Sequence, residues 1–309
     1  MAKPLARQAF VPFPELPIDC KHSVMFVYRS DSHLAAGVVT LAALAGISLL
    51  VMLLLPPVHQ NENYHRFADQ RTLLGIPNFW NVVSNLAFVI AAVVGARALS
   101  SAEAFIQPWE RTAYGLFLAG VALTALGSGY YHLRPNTTTL LWDRLPMTIV
   151  FMTLLATVIA ERLSMSAGRL LLYPLLACGA LSVAYWKLSG DLRWYGLVQF
   201  VPMLALPVLL LGFPPRYSHA GGLWGCLGLY MLAKIAELLD KPIGRIVATG
   251  GHPWKHFAGA AAIVCYAISV ANRRPIACQE HSTSQVHQAP RWPRRGRQLS
   301  KLFLDRYFS

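Results

Sequence analysis

Residues 34–55 read LAAGVVTLAALAGISLLVMLLL, without one charged side chain, and stop at Pro56-Pro57. A run of that length suits the roughly 30 Å hydrocarbon core of a bilayer, which asks about 20 apolar residues of a helix. Seven more runs follow, near 80–96, 113–131, 145–160, 170–186, 194–213, 221–239 and 253–271, bounded by Pro, Gly or charge. They must be helices, because open backbone polar groups cannot stand in lipid and the runs lack the period of two of barrel strands. The predicted fold is all-α integral membrane, a seven-transmembrane-helix core with one additional N-terminal transmembrane helix.

Composition agrees. Of 309 residues, 55% are apolar and only 13% charged, which excludes a soluble enzyme and an extracellular disulfide scaffold. The five cysteines are odd in number and form no CxxC pair, so they read as buried free thiols. The formal charge of +13 does not indicate a nucleic-acid partner, because 8 of the 27 basic residues crowd into the last 37 positions, after the last apolar run. The chain divides into a poorly ordered N-terminal segment (1–33), the extra helix (34–55), a seven-helix domain (64–271) and a basic, poorly ordered tail (272–309). The first run is read as an anchor and not a cleaved signal peptide, being longer than a signal core and lacking a small-x-small site at Pro56-Pro57. Eight spans put both termini on one side, and the basic residues of the tails make that side the cytoplasm. In either orientation the connections after spans 1, 3, 5 and 7 share a face.

Polar and ionisable groups at membrane depth are costly, so each is a functional candidate. Ser128-Gly-Tyr-Tyr-His132 ends span 3 with its hydroxyl and imidazole on one helix face. Asp143 follows at the start of span 4, and His252-Pro-Trp-Lys-His256 opens span 8. Singly, each has a plain structural role available: an interhelical hydrogen bond for a histidine, a helix cap for Asp143, a bond back to its own helix for Ser128. Together they gain weight, since loop parity brings all of them to one membrane face. Two histidines at i and i+4 with a third nearby are a catalytic zinc pattern, although HxxxH alone is a weak signal.

The set Phe79-Trp80-Asn81-Val-Val-Ser84-Asn85, Ser128-xxx-His132, Asp143-Arg-Leu-Pro-Met147, Tyr230-xxx-Lys234-xx-Glu237-xx-Asp240 and Gly251-His252-xxx-His256 resembles the alkaline ceramidase family. That family belongs to a superfamily of seven-span membrane hydrolases that includes the adiponectin-receptor-like proteins. The resemblance covers residues 64–271. It implies that His132, His252 and His256 hold Zn2+ and that Ser128 and Asp143 are the catalytic groups beside it. It also implies a zinc-dependent hydrolase that cuts the amide of a ceramide-like lipid to a sphingoid base and a fatty acid. Eukaryotic members bind calcium through an acidic segment ending in Glu-Phe-Trp-Asn. Here Asn78 stands in the glutamate position with only Glu62 and Asp69 nearby, so Ca2+ is not assigned. Asp69-Gln-Arg71 is expected to form a local ion pair or cover the site. The alternative function is a non-catalytic seven-helix lipid-binding receptor with a structural zinc. A transporter ranks last, as no inverted repeat or broken helix is visible.

Of the remaining polar residues, Glu237 is expected to pair with Lys234 and Lys241 at helical spacing. Asn81 and Asn85 are expected to fix packing or support the zinc ligands, and Gln199 to bond between helices. Asn136-Thr-Thr138 matches a glycosylation sequon, and the loop residues His59 and His65 are expected to be solvated.

Overall fold

The computed structural model describes residues 31–101 and 103–276. Helices form along the apolar runs: α1 (Asp31–Leu54), α2 (Phe79–Val83), α3 (Leu86–Ala96), α4 (Pro108–Leu133), α5 (Leu140–Arg162), α6 (Met165–Ser189), α7 (Arg193–Gly212), α8 (Gly221–Leu238), α9 (Asp240–Gly244) and α10 (His252–Asn272). Their ends carry recognisable start and stop chemistry. Pro108 opens α4 while the Gln107 N–H donates to Glu110 Oε2 at 2.8 Å, and Ser164 caps α6, which stops at Gly190 with φ +76°. Among the described residues, seven helices are long and apolar enough to cross a membrane, including the N-terminal one. Gly221–Leu238 is not among the seven, although the sequence predicts a span there. It is 18 residues long and carries Lys234 and Glu237, both used inside the bundle.

The second span, Phe79–Ser100, departs from regular α geometry at Ser84 and Asn85, which keep helical dihedrals but form tighter i to i−3 bonds, a feature that the sequence did not reveal. Regular α-helix ends at Val83 and resumes at Leu86. The Asn85 amide donates to Asn81 O (2.8 Å) and the Ser84 hydroxyl to Asn81 O (3.2 Å), so side chains intrude on the backbone ladder, a recognised cause of a helix kink.

α5 is the hub of the bundle, packed on α4, α6 and α7, while α10 lies between α3 and α8, and α3 closes on α4. α1 stands outside this ring and packs on α7. With no water to drive helices together in lipid, close approach depends on small residues. At Gly127 a Cβ would stand 1.9 Å from the Trp142 carbonyl oxygen, so only glycine lets α4 press this tightly on the start of α5. The next residue on each chain is Ser128 and Asp143.

At the end of the bundle away from His132, buried polar groups fasten the ends of α4, α5, α7 and α10. The Tyr217 hydroxyl donates to Glu110 Oε1 (2.7 Å), Arg273 Nε to Ala104 O (2.7 Å) and Arg162 Nη1 to Phe213 O (3.0 Å). Residues 272–276, which the sequence assigns to the tail, therefore belong to the packed body. The expected disorder of 1–30 and 277–309 lies outside the described residues, as do Cys20 and Cys278. Of the cysteines described, Cys226 is buried, whereas Cys178 is exposed on α6 and corrects the expectation of burial.

Candidate metal centre

The connections at 55–78, 134–139, 190–192 and 239–251 meet on one face, as loop parity predicts. The Leu192 N–H donates to Val58 O (2.8 Å), the Ala68 N–H to Asp240 Oδ2 (2.8 Å), and His65 bonds Thr137 Oγ1 (3.0 Å). Just inside that face the structure brings together the three predicted histidines. His132 sits in the last turn of α4, and His252 and His256 lie one turn apart at the start of α10. All three are buried, at 1%, 3% and 2% exposure, and one nitrogen from each lies within 4.8 Å of the others.

This group could hold a metal ion, and its donor chemistry fits one. His132 Nε2 and His252 Nε2 face each other at 3.3 Å. Two nitrogens each about 2.0–2.1 Å from one tetrahedral zinc ion would stand roughly 3.3 Å apart. His132 Nδ1 has no hydrogen-bond partner, so the polar contact of that ring is on its Nε2 side. His256 is oriented from behind: its Nδ1 lies 2.7 Å from Ser84 Oγ, whose own hydrogen is directed to Asn81 O. With its hydrogen on Asn81 O, the hydroxyl can accept from Nδ1–H, the tautomer that leaves Nε2 with its lone pair toward the other two rings. Ser84 performs the supporting role that the sequence assigned to Asn81 and Asn85. The polar spacing Asn81-xx-Ser84-Asn85 was the available signal.

Asp240 fixes the register of this centre. Its Oδ1 accepts the His252 N–H and its Oδ2 the Ala68 N–H, both at 2.8 Å, so one carboxylate caps α10 and holds the 55–78 loop. At Gly251 a Cβ would come within 2.3 Å of Ala236 O, and Gly250 has φ +70°; both positions need glycine for the chain to turn into α10 here. The 55–78 loop roofs the site. The Phe67 ring lies 4.8 Å from that of His132 and 4.4 Å from that of His252, centroid to centroid. Tyr64 donates to Glu237 Oε1 (2.9 Å), and His65 bonds the Tyr131 hydroxyl (2.8 Å). His65 is thus engaged and not solvated; burial lowers its pKa first of all, against the opposing pull of Glu62.

The expected Asp69–Arg71 pair is present in bidentate form, at 2.7 and 3.1 Å, with a third bond from the Arg71 N–H. Burial alone would raise the Asp69 carboxyl, but these bonds outweigh it and hold the group below its usual range. Arg71 also donates to Ala248 O (3.0 Å), and Asn81 donates to Asp69 O (3.0 Å), which anchors the roof at both ends. Asn78, at φ +47°, donates to His132 O (3.0 Å) and acts as a cap on α4.

Beneath the roof, Ser128 and Asp143 line a narrow cavity of about 110 Å³ together with His256, and the Ser128 hydroxyl interacts with the Asp143 carboxylate. Asp143 lies within the first turn of α5 and does not serve as its N-cap, which is Thr139. The cavity runs on among apolar side chains such as Phe117, Phe151, Met203 and Ile263. On its wall Glu237 pairs with Lys234 and Lys255; the expected Lys241 partner is not used. α8 ends at Leu238, so i,i+4 spacing does not carry to Lys241, and Lys255 of α10 takes the place. Gln199 donates to the Tyr230 hydroxyl (3.1 Å), an α7 to α8 bond as predicted. Asn136 of the sequon accepts the Thr138 and Thr139 N–H groups in a turn before α5.

Residues 72–208 match the family model described as Ceramidase, which bears out the family resemblance for the motifs within that segment. The matched segment carries Ser128, His132 and Asp143, while His252 and His256 lie beyond it. No curated protein matches the chain.

Proposed function

Taking the chain as a member of the ceramidase family, we propose that it is an intramembrane zinc-dependent hydrolase that cleaves the amide of a ceramide-like lipid. The observation that carries this reading is the convergence of three buried imidazoles, one of which, His256, lines a cavity together with Ser128 and Asp143. His132, His252 and His256 would hold the ion. Zinc in such a site supplies Lewis acidity toward the carbonyl and lowers the pKa of water. Ser128 donates a hydrogen bond to the carbonyl oxygen as negative charge develops there. Asp143 accepts the proton of the attacking water and returns it to the amine nitrogen as the C–N bond breaks. Lys255, paired with Glu237, lines the same cavity as Asp143. The apolar cavity takes the lipid portion next to the head, and at about 110 Å³ it leaves the rest of both chains among the helices and the bilayer.

Two measurements test this. Metal analysis of the purified protein is expected to give one zinc per chain, lost in the His252→Ala/His256→Ala variant; zinc retained by that variant refutes the site. Incubation with a panel of long-chain amides and esters is expected to release fatty acid from the amide, a reaction lost in Asp143→Asn. A zinc-loaded protein that turns over none of the panel would instead be the lipid-binding receptor.

A further inference from the structure

A groove of about 600 Å³, within the size range of ligand sites, runs along the outside of the bundle between α1 and α7. Its long walls are apolar, with Leu44, Ile47 and Val51 of α1 facing Phe200 and Leu204 of α7. From Arg193 to Leu204 it covers about 16 Å at 1.5 Å per residue, close to the depth of one bilayer leaflet. Charge stands at one end only, the end by the roofed face, where Arg144 and Arg193 line it.

The two guanidiniums differ. Arg193 is neutralised by Asp191 (2.8 Å) and also donates to Met52 O and Leu55 O, capping the end of α1. Arg144 is 8% exposed and has no carboxylate partner within 4 Å among the described residues. Its Nη2 donates to Gln60 Oε1 (2.7 Å), its plane lies over Trp186 (4.3 Å) and Tyr195 (4.9 Å), and its Nη1 is buried with no partner. A buried cation with an unspent N–H is costly until an anion meets it. The neighbouring carboxylate, Asp143, faces the internal cavity and not the groove.

We propose that this groove binds a single-chain lipid carboxylate, a long-chain fatty acid with its head on Arg144 Nη1 and its chain between α1 and α7. Gln60 takes Nη2, the aromatic rings cover the guanidinium and Nη1 is shielded, surroundings that suit a small planar oxyanion better than a bulky glycerophosphate head. The site uses neither the three histidines nor the internal cavity, so it stands independently of the hydrolase reading.

The test is photolabelling of the full chain in nanodiscs with palmitic acid carrying a mid-chain diazirine, mapped by peptide mass spectrometry. Label is expected on α1 between Leu44 and Met52 and on α7 near Phe200 and Leu204. Palmitate should compete about tenfold better than hexadecanol, in keeping with a charge-assisted contact, and Arg144→Gln should erase that difference. Ser48→Trp, which places a large side chain in the groove from α1 and keeps Arg144 itself, should abolish labelling there while zinc content is kept. Label confined to α8 and α10, label that survives Ser48→Trp, equal competition by hexadecanol, or competition by phosphatidylglycerol as strong as by palmitate would each overturn the proposal. Should Arg144→Gln not fold, the Ser48→Trp variant and the competition series decide.

Discussion

Ser84→Ala isolates the support behind one metal ligand. The Ser84 hydroxyl is buried at 2% exposure, donates to Asn81 O at 3.2 Å and receives His256 Nδ1–H at 2.7 Å. Removing it leaves a buried imidazole N–H unsatisfied, a cost of about 1–3 kcal/mol, and frees the ring to adopt the other tautomer, which presents a hydrogen to the metal side. Loss of such outer partners typically lowers metal affinity about 10- to 100-fold, which at 1.4 kcal/mol per tenfold is about 1.4–2.8 kcal/mol. The two figures agree, so the expected result is zinc bound roughly 10- to 100-fold more weakly. The assay is competition with a chromophoric zinc chelator on detergent-purified protein. Ser182→Ala is the matched control, since that hydroxyl is also buried but donates only to Gly179 O of its own helix (2.7 Å). Affinity of Ser84→Ala within about twofold of the control, with the fold intact, would refute the tautomer argument.

Glu237→Gln leaves Lys234 and Lys255 without their shared carboxylate and should destabilise the protein by about 3–5 kcal/mol, the usual cost of breaking a buried pair from one side. Thermal unfolding in detergent checks this, and the Glu237→Gln/Lys255→Met double variant should recover part of the loss. Asp240→Asn replaces an acceptor of two backbone N–H groups by one that can accept only one of them, so a loss of about 1–3 kcal/mol is expected together with weaker zinc binding. The Asp69 carboxyl is depressed in the folded state, so its contribution is present above the unfolded value near 4 and disappears as pH falls through the lower folded value. The stability gap between wild type and Arg71→Gln should therefore be open at neutral pH and close in acid, as read by unfolding midpoints across pH.

The sequence made the bundle legible because span length and apolarity are local properties, set by the bilayer and not by tertiary partners. It also placed Ser128, His132, Asp143, His252 and His256 on one face, since counting spans settles which loops meet. What it could not reveal was which side chains meet across that face. Lys255 lies between two motif histidines and only the packing of α10 on α8 shows that Glu237 reaches it in place of Lys241. Ser84 stood among polar neighbours at i, i+3 and i+4, but only the packing of this span against the start of α10 shows that its hydroxyl meets His256. The roof was hidden for a different reason. Residues 55–78 contain little regular structure, and Phe67 gains its meaning from rings 65 and 185 positions away.

On the proposed hydrolase reading, that roof bears on how a substrate would reach the centre. Phe67 is laid across two imidazoles while Tyr64, His65 and Arg71 fasten the loop, a cover that on the hydrolase reading predicts arrival sideways through the membrane plane. Turnover would then follow the mole fraction of the lipid within its own leaflet. Adding inert phospholipid should slow the reaction at constant bulk concentration, whereas enlarging the buffer volume should leave it unchanged.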